Sequence, residues 1–185
     1  MEGGIKNEAE LILRYRDISL IPECDSAIED IVNECITSDT SDRIVSLDLR
    51  DVKLSDSIKP TVQDEFYHIL NIMRFNQNSH ELFRKWYIDG RVYFHKVVAS
   101  KRPKAGIVDI RNIDPIQIKK VRHIEKDRDN KTNVEKITKM EEFYLFNDRG
   151  FDKSGSGEGN TVKIAPEAVC YTTSGLLDYT KNVVV

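Results

Sequence analysis

The sequence has no long apolar run and little excess charge of either sign. No segment approaches the roughly 18 consecutive apolar residues of a membrane-spanning helix, which argues against a spanning segment. The 28 basic and 31 acidic residues leave a formal net charge of −3, so the chain as a whole does not attract nucleic acid or an anionic membrane. Binding of either kind would need a local basic patch.

Cysteine is also scarce, and its three occurrences predict neither a disulfide framework nor a metal site. The N-terminal stretch lacks the basic and apolar regions of a secretion signal, so we expect an intracellular or virion-borne chain with reduced, buried thiols. Cys24 and Cys35 are about three helical turns apart, so on one helix they would share a face without touching. The histidines are far apart, without metal-ligand spacing: His68, His80, His95 and His123.

The residues that are present suit a folded protein. Hydrophobic residues make up 39% and charged residues 32% of the 185 positions, which is enough apolar material for a core and too much for a disordered chain. A domain commonly has about 100–200 residues, so one domain or two small ones are expected.

The first two helices are predicted from apolar periodicity. Residues 6–18 carry Leu11, Tyr15 and Ile18 at helical spacing. Pro22 suits the first turn of the next helix, because a first-turn residue needs no intrahelical N–H partner. The apolar stripe of this second helix consists of Ile28, Ile31, Val32, Cys35 and Ile36.

Two further helices are predicted before residue 91. Residues 58–73 have another stripe of helical period, with Ser55 or Asp56 as the expected N-cap. Ser79 is predicted to cap a shorter helix, and Gly90 to end it.

Strands are predicted mainly in the second half, where the apolar period changes from 3.6 to 2. Their ranges are 44–49 in the first half, then 91–99, 107–112, 116–124, 142–147, 161–164 and 169–172. This order predicts an α+β fold, with N-terminal helices packed on a C-terminal antiparallel β-meander or small barrel-like sheet. We expect a mainly helical subdomain over residues 1–90 and a β-rich subdomain over residues 91–185.

No catalytic or cofactor-binding constellation can be assembled from the sequence. The glycines of residues 155–159 suggest a phosphate-binding loop, yet the Gly-Lys-Ser/Thr continuation that holds phosphate and magnesium is missing, so a surface loop is favoured. Ser174 is not within a nucleophile elbow, and the pairs at 89–90 and 114–115 are typical of turns. Because no nucleophile, base and orienting group can be named together, we expect no enzyme, cofactor or metal.

Basic residues form one candidate contact surface. It has two groups, in a turn and along a predicted strand: Lys101, Arg102 and Lys104, and Lys119, Lys120 and Arg122. With Tyr93 or Phe94 nearby, the surface could stack bases and hold phosphates. Because acidic residues interleave the hairpin after residue 124, a mixed-charge edge strand that blocks self-pairing is the alternative.

Several short stretches are informative through their order along the chain. They are Tyr15-Arg16, PECDSAIEDIVNE at 22–34, VKLS at 52–55, FRKWYIDGR at 83–91, YFHK at 93–96, IDP at 113–115, IKKVR at 118–122 and SGL at 174–176. In this order they resemble the portal (head-to-tail connector) proteins of contractile-tailed (myovirus) bacteriophages, and the resemblance extends from about residue 9 to residue 185.

The resemblance implies a structural protein. Portal proteins form a dodecameric ring at one capsid vertex, start head assembly, pass double-stranded DNA while the terminase motor docks, and later hold the neck and tail. This chain resembles the peripheral wing region of that longer protein, located in the virion and assembled in the host cytoplasm. Two alternatives remain from the residues alone, namely a small nucleic-acid-binding adaptor that uses the basic 101–128 segment and a hydrolase with an unrecognised site.

Overall fold

The computed structural model describes residues 8–37, 43–99, 101, 104, 106–128, 135–151, 161–175, 177–178 and 183–184. In this part of the chain the helices come first: α1 (Glu8–Ser19), α2 (Pro22–Cys35), α3 (Lys59–Ile72) and α4 (Phe75–Asp89). The strands follow: β1 (Arg91–Val98), β2 (Ile107–Ile113), β3 (Ile118–Arg128), β4 (Glu135–Phe146), β5 (Val162–Ile164), β6 (Val169–Thr173), β7 (Leu177–Asp178) and β8 (Val183–Val184). The predicted α+β organisation is confirmed.

The helix ends show where local sequence rules apply. Pro22 lies in the first turn of α2, and Gly90 ends α4 with a φ of 69°, as predicted. The predicted caps are wrong, because α4 begins at Phe75 after Arg74 in the left-handed region, and Ser79 is buried within the helix. Helix α3 begins at Lys59 after Ile58, so neither Ser55 nor Asp56 is its N-cap.

The predicted strand over residues 44–49 is wrong. These residues form no strand, and no described strand lies beside them to accept their backbone hydrogen bonds. The segment ends in a local turn instead, where the Asp48 carboxylate accepts bonds from the backbone and side chain of Arg50. Alternating polarity alone does not make a strand when no partner strand is adjacent.

The helices pack around α4, which contacts each of the other three. Ile12 of α1 and Val32 of α2 are the most deeply buried apolar side chains here, and Val32 is 0% exposed. The predicted stripes are only partly inward, since Ile18 is 52% exposed and Cys35 is exposed. The expectation of buried thiols is therefore wrong for Cys35 and for Cys170.

The longer strands form two three-stranded antiparallel sheets, with orders β2-β1-β6 and β3-β4-β5. A short 3-10 helix, Pro115–Gln117, connects β2 to β3 and so delays the start of β3. The two sheets share one apolar core, which contains Tyr93, Ile113, Ile118, Tyr144 and Val169. The rings of Tyr93 and Tyr144 meet edge to face, 6.3 Å apart, between the sheets.

Candidate interaction surfaces

The predicted basic surface is divided by the geometry of β3. Because alternate side chains of a strand point to opposite faces, Lys120 and Arg122 share one face while Lys119 lies on the other. Glu142 of β4 lies between the first two, 3.0 Å from Lys120 Nζ and 2.6 Å from Arg122 Nη2. Hydrogen bonds from Lys120 and Arg122 lower the pKa of Glu142, so this carboxylate stays ionised and neutralises part of their charge.

The other members of the predicted surface lie in the β1–β2 connection. Lys101 and Lys104 are exposed there, and Arg102 lies outside the described residues. Tyr93 is wrong as a stacking platform, because it is buried between the sheets. Tyr171 stacks on it at 5.7 Å and is the accessible ring, with Lys120 Nζ 5.8 Å from its centroid.

A charged junction joins α1 to the end of α4 and to the turn after β2. The guanidinium of Arg16 donates to both carboxylate oxygens of Asp89 at 2.8 and 2.7 Å. It also donates to both oxygens of Asp114, at 3.1 and 2.9 Å. The Asp89 side chain is only 4% exposed, so Arg16 provides the charge that compensates this buried carboxylate.

The electrostatics of the junction follow from these bonds. The hydrogen bonds to Asp89 raise the pKa of Arg16 further above its already high value. Partial burial of Asp114 favours its neutral form, but hydrogen bonds from Arg16 and from the Ile116 N–H outweigh burial and lower the pKa of this carboxyl. Arg16 and Asp114 are therefore charged at neutral pH.

Two more contacts tie the same helices to the sheets. Arg91 Nη1 lies 2.8 Å from Glu8 of α1, and the Arg91 side chain is almost fully buried. The Ser174 N–H donates to the Gly90 carbonyl at 2.7 Å, which anchors the end of β6 at the point where α4 stops. The helical layer is thus attached by oriented polar bonds as well as by apolar packing.

Sequence reasoning missed the junction. Asp89 is the last residue of α4 and Asp114 caps the 3-10 helix after β2, but their shared partner is 73 and 98 residues away in sequence. No local pattern signals a contact at such separation. The available hint was that both acidic residues lie next to a change of secondary structure.

The outer side of the helical layer has an apolar surface that we call the α1–α2 corner, consisting of Ile18, Leu20, Ile21 and the adjacent groove. Leu20 is 76% exposed and Ile18 and Ile21 are also exposed. The groove has a volume of about 320 Å³ and lies between α1, α2 and the end of α4, where Tyr87 contributes to its wall. Contiguous exposed apolar residues of this kind mark interaction sites more often than isolated ones do.

A second partly exposed surface lies on β3-β4-β5, on the side away from the shared core. We call it the open sheet face, formed by Lys119, Val121, Phe143, Leu145 and Lys163. The three apolar members are half-buried. Lys163 Nζ lies 4.0 Å from the Phe143 ring centroid and 3.3 Å from Glu141.

The described residues offer no arrangement that resembles a metal centre. No group of three or more His, Cys, Asp or Glu side chains could hold an ion there. His80 instead lies 3.0 Å from the Asn33 side chain, which links α4 to α2. None of the described helices is long and apolar enough to span a bilayer.

Comparison with known proteins shows the family to which this chain is related. Residues 8–185 match the family described as Bacteriophage T4-like portal protein (Gp20). The chain belongs to the T4-like portal protein family. The resemblance inferred from the order of short stretches is confirmed, and the matched range contains the charged junction, the α1–α2 corner and the open sheet face.

Individual portal proteins are similar over parts of their length. The portal protein of Vibrio phage KVP40 is 30% identical over 173 residues, which cover 91% of this chain and 33% of that protein. The portal protein of Salmonella phage ViI is 28% identical over 127 residues, which cover 68% of this chain and 23% of that protein. The chain therefore spans about a third or less of the length of these curated relatives.

Proposed function

We propose that this chain is the wing-like part of a portal protein, a structural subunit of the ring at one vertex of a phage head. DNA is packaged and ejected through that ring, and the head assembles on it. The observation that carries the proposal is the family match over residues 8–185, which includes both the helices and the sheets.

The surface chemistry supports this role. A subunit beside a DNA channel must not hold the DNA that passes through it, and a chain with a net charge of −3 has no overall attraction for a polyanion. Lys120 and Arg122, the basic pair on one face of β3, are held by Glu142. This pairing reduces the phosphate-binding capacity of the strand that sequence reasoning had singled out.

The two predicted subdomains work as one unit in this proposal. The helical part, residues 1–90, and the β-rich part, residues 91–185, act as one rigid wing because Arg16 and Arg91 connect them. The partners are further copies in a dodecameric ring, the terminase motor, the capsid and neck proteins, and double-stranded DNA. The chain works in the virion at the portal vertex, after assembly in the host cytoplasm, and its role is structural and not enzymatic.

Immunoelectron microscopy tests the proposal. Antibodies raised against the purified chain are applied to tailless heads and to disrupted particles of the phage that encodes it, with pre-immune serum as the control. We expect gold labels at a single vertex of each head. Labels spread over the capsid or restricted to the tail, or particles that bind no antibody after disruption, would contradict a portal role.

A further inference from the structure

Two apolar surfaces in the described part of the chain carry opposite charge. The α1–α2 corner lies in the helical layer, and the open sheet face lies on β3-β4-β5. Helix α2 packs on α1 and α4 in the helical layer, so the two surfaces are on different parts of the molecule.

The corner is acidic because α2 has two different rows of carboxylates. Asp25 and Glu29 face α4, where Arg84 binds them at 2.5 and 2.7 Å. The second row lies beside the groove at helical spacing and consists of Glu23, Asp30 and Glu34. All three are exposed and have no ion-pair partner among the described residues, and α2 contains no Lys or Arg that would balance them.

The open sheet face is basic. Lys119 is exposed and forms no ion pair with a described residue, and Lys163 lies across the Phe143 ring. Its carboxylate, Glu141, is already in contact with Lys163. The apolar centre of this face is therefore bordered by an excess of positive charge.

These charges select one way of joining two copies. Contact between two corners would bring unpaired carboxylates together, and contact between two sheet faces would bring lysines together. Like charges that meet in an interface cost several kcal/mol, whereas opposite charges both steer the encounter and set its register. Only contact between a corner and a face joins apolar surfaces and opposite charges at the same time.

We propose that the α1–α2 corner of one copy docks on the open sheet face of the next copy. This inference rests on the proposed ring function and names the surfaces that wing parts use on each other. The contact is heterologous, because each copy uses a different surface on each side. A free corner and a free face remain at the ends of every open assembly, so the contact can continue around a ring.

The test uses two exposed substitutions that leave the core intact. Leu20→Lys disrupts the corner, and Lys119→Glu disrupts the face. Matched controls are Val108→Lys, an exposed apolar position on β2, and Lys53→Glu, an exposed lysine before α3. Sedimentation equilibrium is run on each protein at concentrations up to about 1 mM, where a complex with a dissociation constant in the millimolar range is still detectable.

We expect the unmodified chain to associate in a concentration-dependent manner. Each disrupted variant should have a dissociation constant at least about tenfold higher. An equimolar mixture of the two variants should form a one-to-one complex with the affinity of the unmodified chain. The mixture should stop at that complex, because its one intact corner meets its one intact face and both remaining surfaces are disrupted. The control variants should associate as the unmodified chain does.

Two results would overturn the docking proposal. The first is a chain that stays monomeric up to about 1 mM, and the second is an association that Lys119→Glu leaves unchanged or that the mixture does not restore. Neither result affects the portal role, which the vertex labelling decides. Conversely, a restored mixture without vertex labelling would retain the contact and reject the portal role.

Discussion

The charged junction and the α1–α2 corner both begin on α1, where Arg16 and Ile18 are two residues apart. In a typical protein polar groups are exposed and apolar groups are buried, and these two regions show the opposite. Arg16 points toward the sheets and binds two carboxylates, one of which is buried. Ile18 and Leu20 point away from the sheets and are exposed. In the junction, charged groups satisfy one another and one of them is buried, while in the corner, apolar groups are exposed to water.

This difference indicates that the junction attaches the helical layer to the sheets, whereas the corner is suited to contact with a partner. Hydrogen bonds between charged groups are directional, so the junction sets the orientation of the helical layer on the sheets. Apolar surface is not directional, and its burial becomes favourable only when a partner covers it. The following substitutions test whether the inner region carries the stability of the chain and the outer region carries little.

The largest effect is expected from Arg16→Ala. This change leaves Asp89 buried without its compensating charge, a class of change that costs about 3–5 kcal/mol when both partners are fully buried. Since the Arg16 side chain is 34% exposed, solvent reduces the expected loss of unfolding free energy to about 2–3 kcal/mol. Urea unfolding followed by circular dichroism measures it, with Arg14→Ala as the control for the exposed pair with Glu10. Equal midpoints for the two variants would refute the importance of the junction.

A slightly smaller effect is expected from Val32→Ala. Removing two buried carbon atoms from a fully enclosed site should lower the unfolding free energy by about 2 kcal/mol, through lost burial and the remaining cavity. Leu20→Ala removes more apolar atoms, yet it should change stability by less than about 0.5 kcal/mol because that side chain is exposed. Thermal and urea unfolding of both variants measure these losses of unfolding free energy. A loss for Leu20→Ala as large as that for Val32→Ala would show that the corner is part of the core.

A smaller effect than that of Val32→Ala is expected from Asp114→Asn, and it should depend on pH. The folded state lowers the pKa of Asp114, so this group stabilises the fold above its ordinary pKa, near 3.8, and the stabilisation is lost as the pH falls through the lowered value. Because the side chain is 40% exposed, the contribution at neutral pH is about 0.5–1 kcal/mol.

Urea midpoints measured between pH 2.5 and pH 7 check this prediction. The asparagine variant should be less stable than the unmodified chain at pH 7, and the difference should shrink as the pH falls through the lowered pKa of Asp114. Asp17→Asn, at an exposed position of α1, is the control. A difference between Asp114→Asn and the unmodified chain that does not change with pH would assign the effect to packing instead of charge.

Much of the fold was predictable because its signals are local. Pro22 starts α2 and Gly90 ends α4 through backbone constraints that involve only neighbouring residues. The strands of the second half follow from alternating polarity, although β4 begins at Glu135, earlier than predicted. The errors at Ser79 and at residues 44–49 have a common cause. A cap needs an unpaired backbone N–H beside it, and a strand needs a neighbouring strand, and a local sequence pattern shows neither partner.

The basic surface was predictable in composition and not in arrangement. Lys101, Lys104, Lys119, Lys120 and Arg122 are exposed. The position of Glu142 opposite Arg122, however, depends on the register of β3 with β4. A shift of one residue would have placed this carboxylate on the opposite face of the sheet. That register, and therefore the pairing, results from the packing of Ile118 and Tyr144 in the shared core.

The sequence by itself determined the order of helices and strands, the membership of the portal family and the absence of a membrane-length apolar run, because each depends on neighbours along the chain. The tertiary structure decided which charges are compensated. It brought Arg16 to Asp89 and Asp114 across 73 and 98 residues, and it placed Arg84 beside one acidic row of α2 while the other row faces solvent. The physical reason is that charge compensation acts over a few ångströms of space, and folding alone determines which distant residues come within that range.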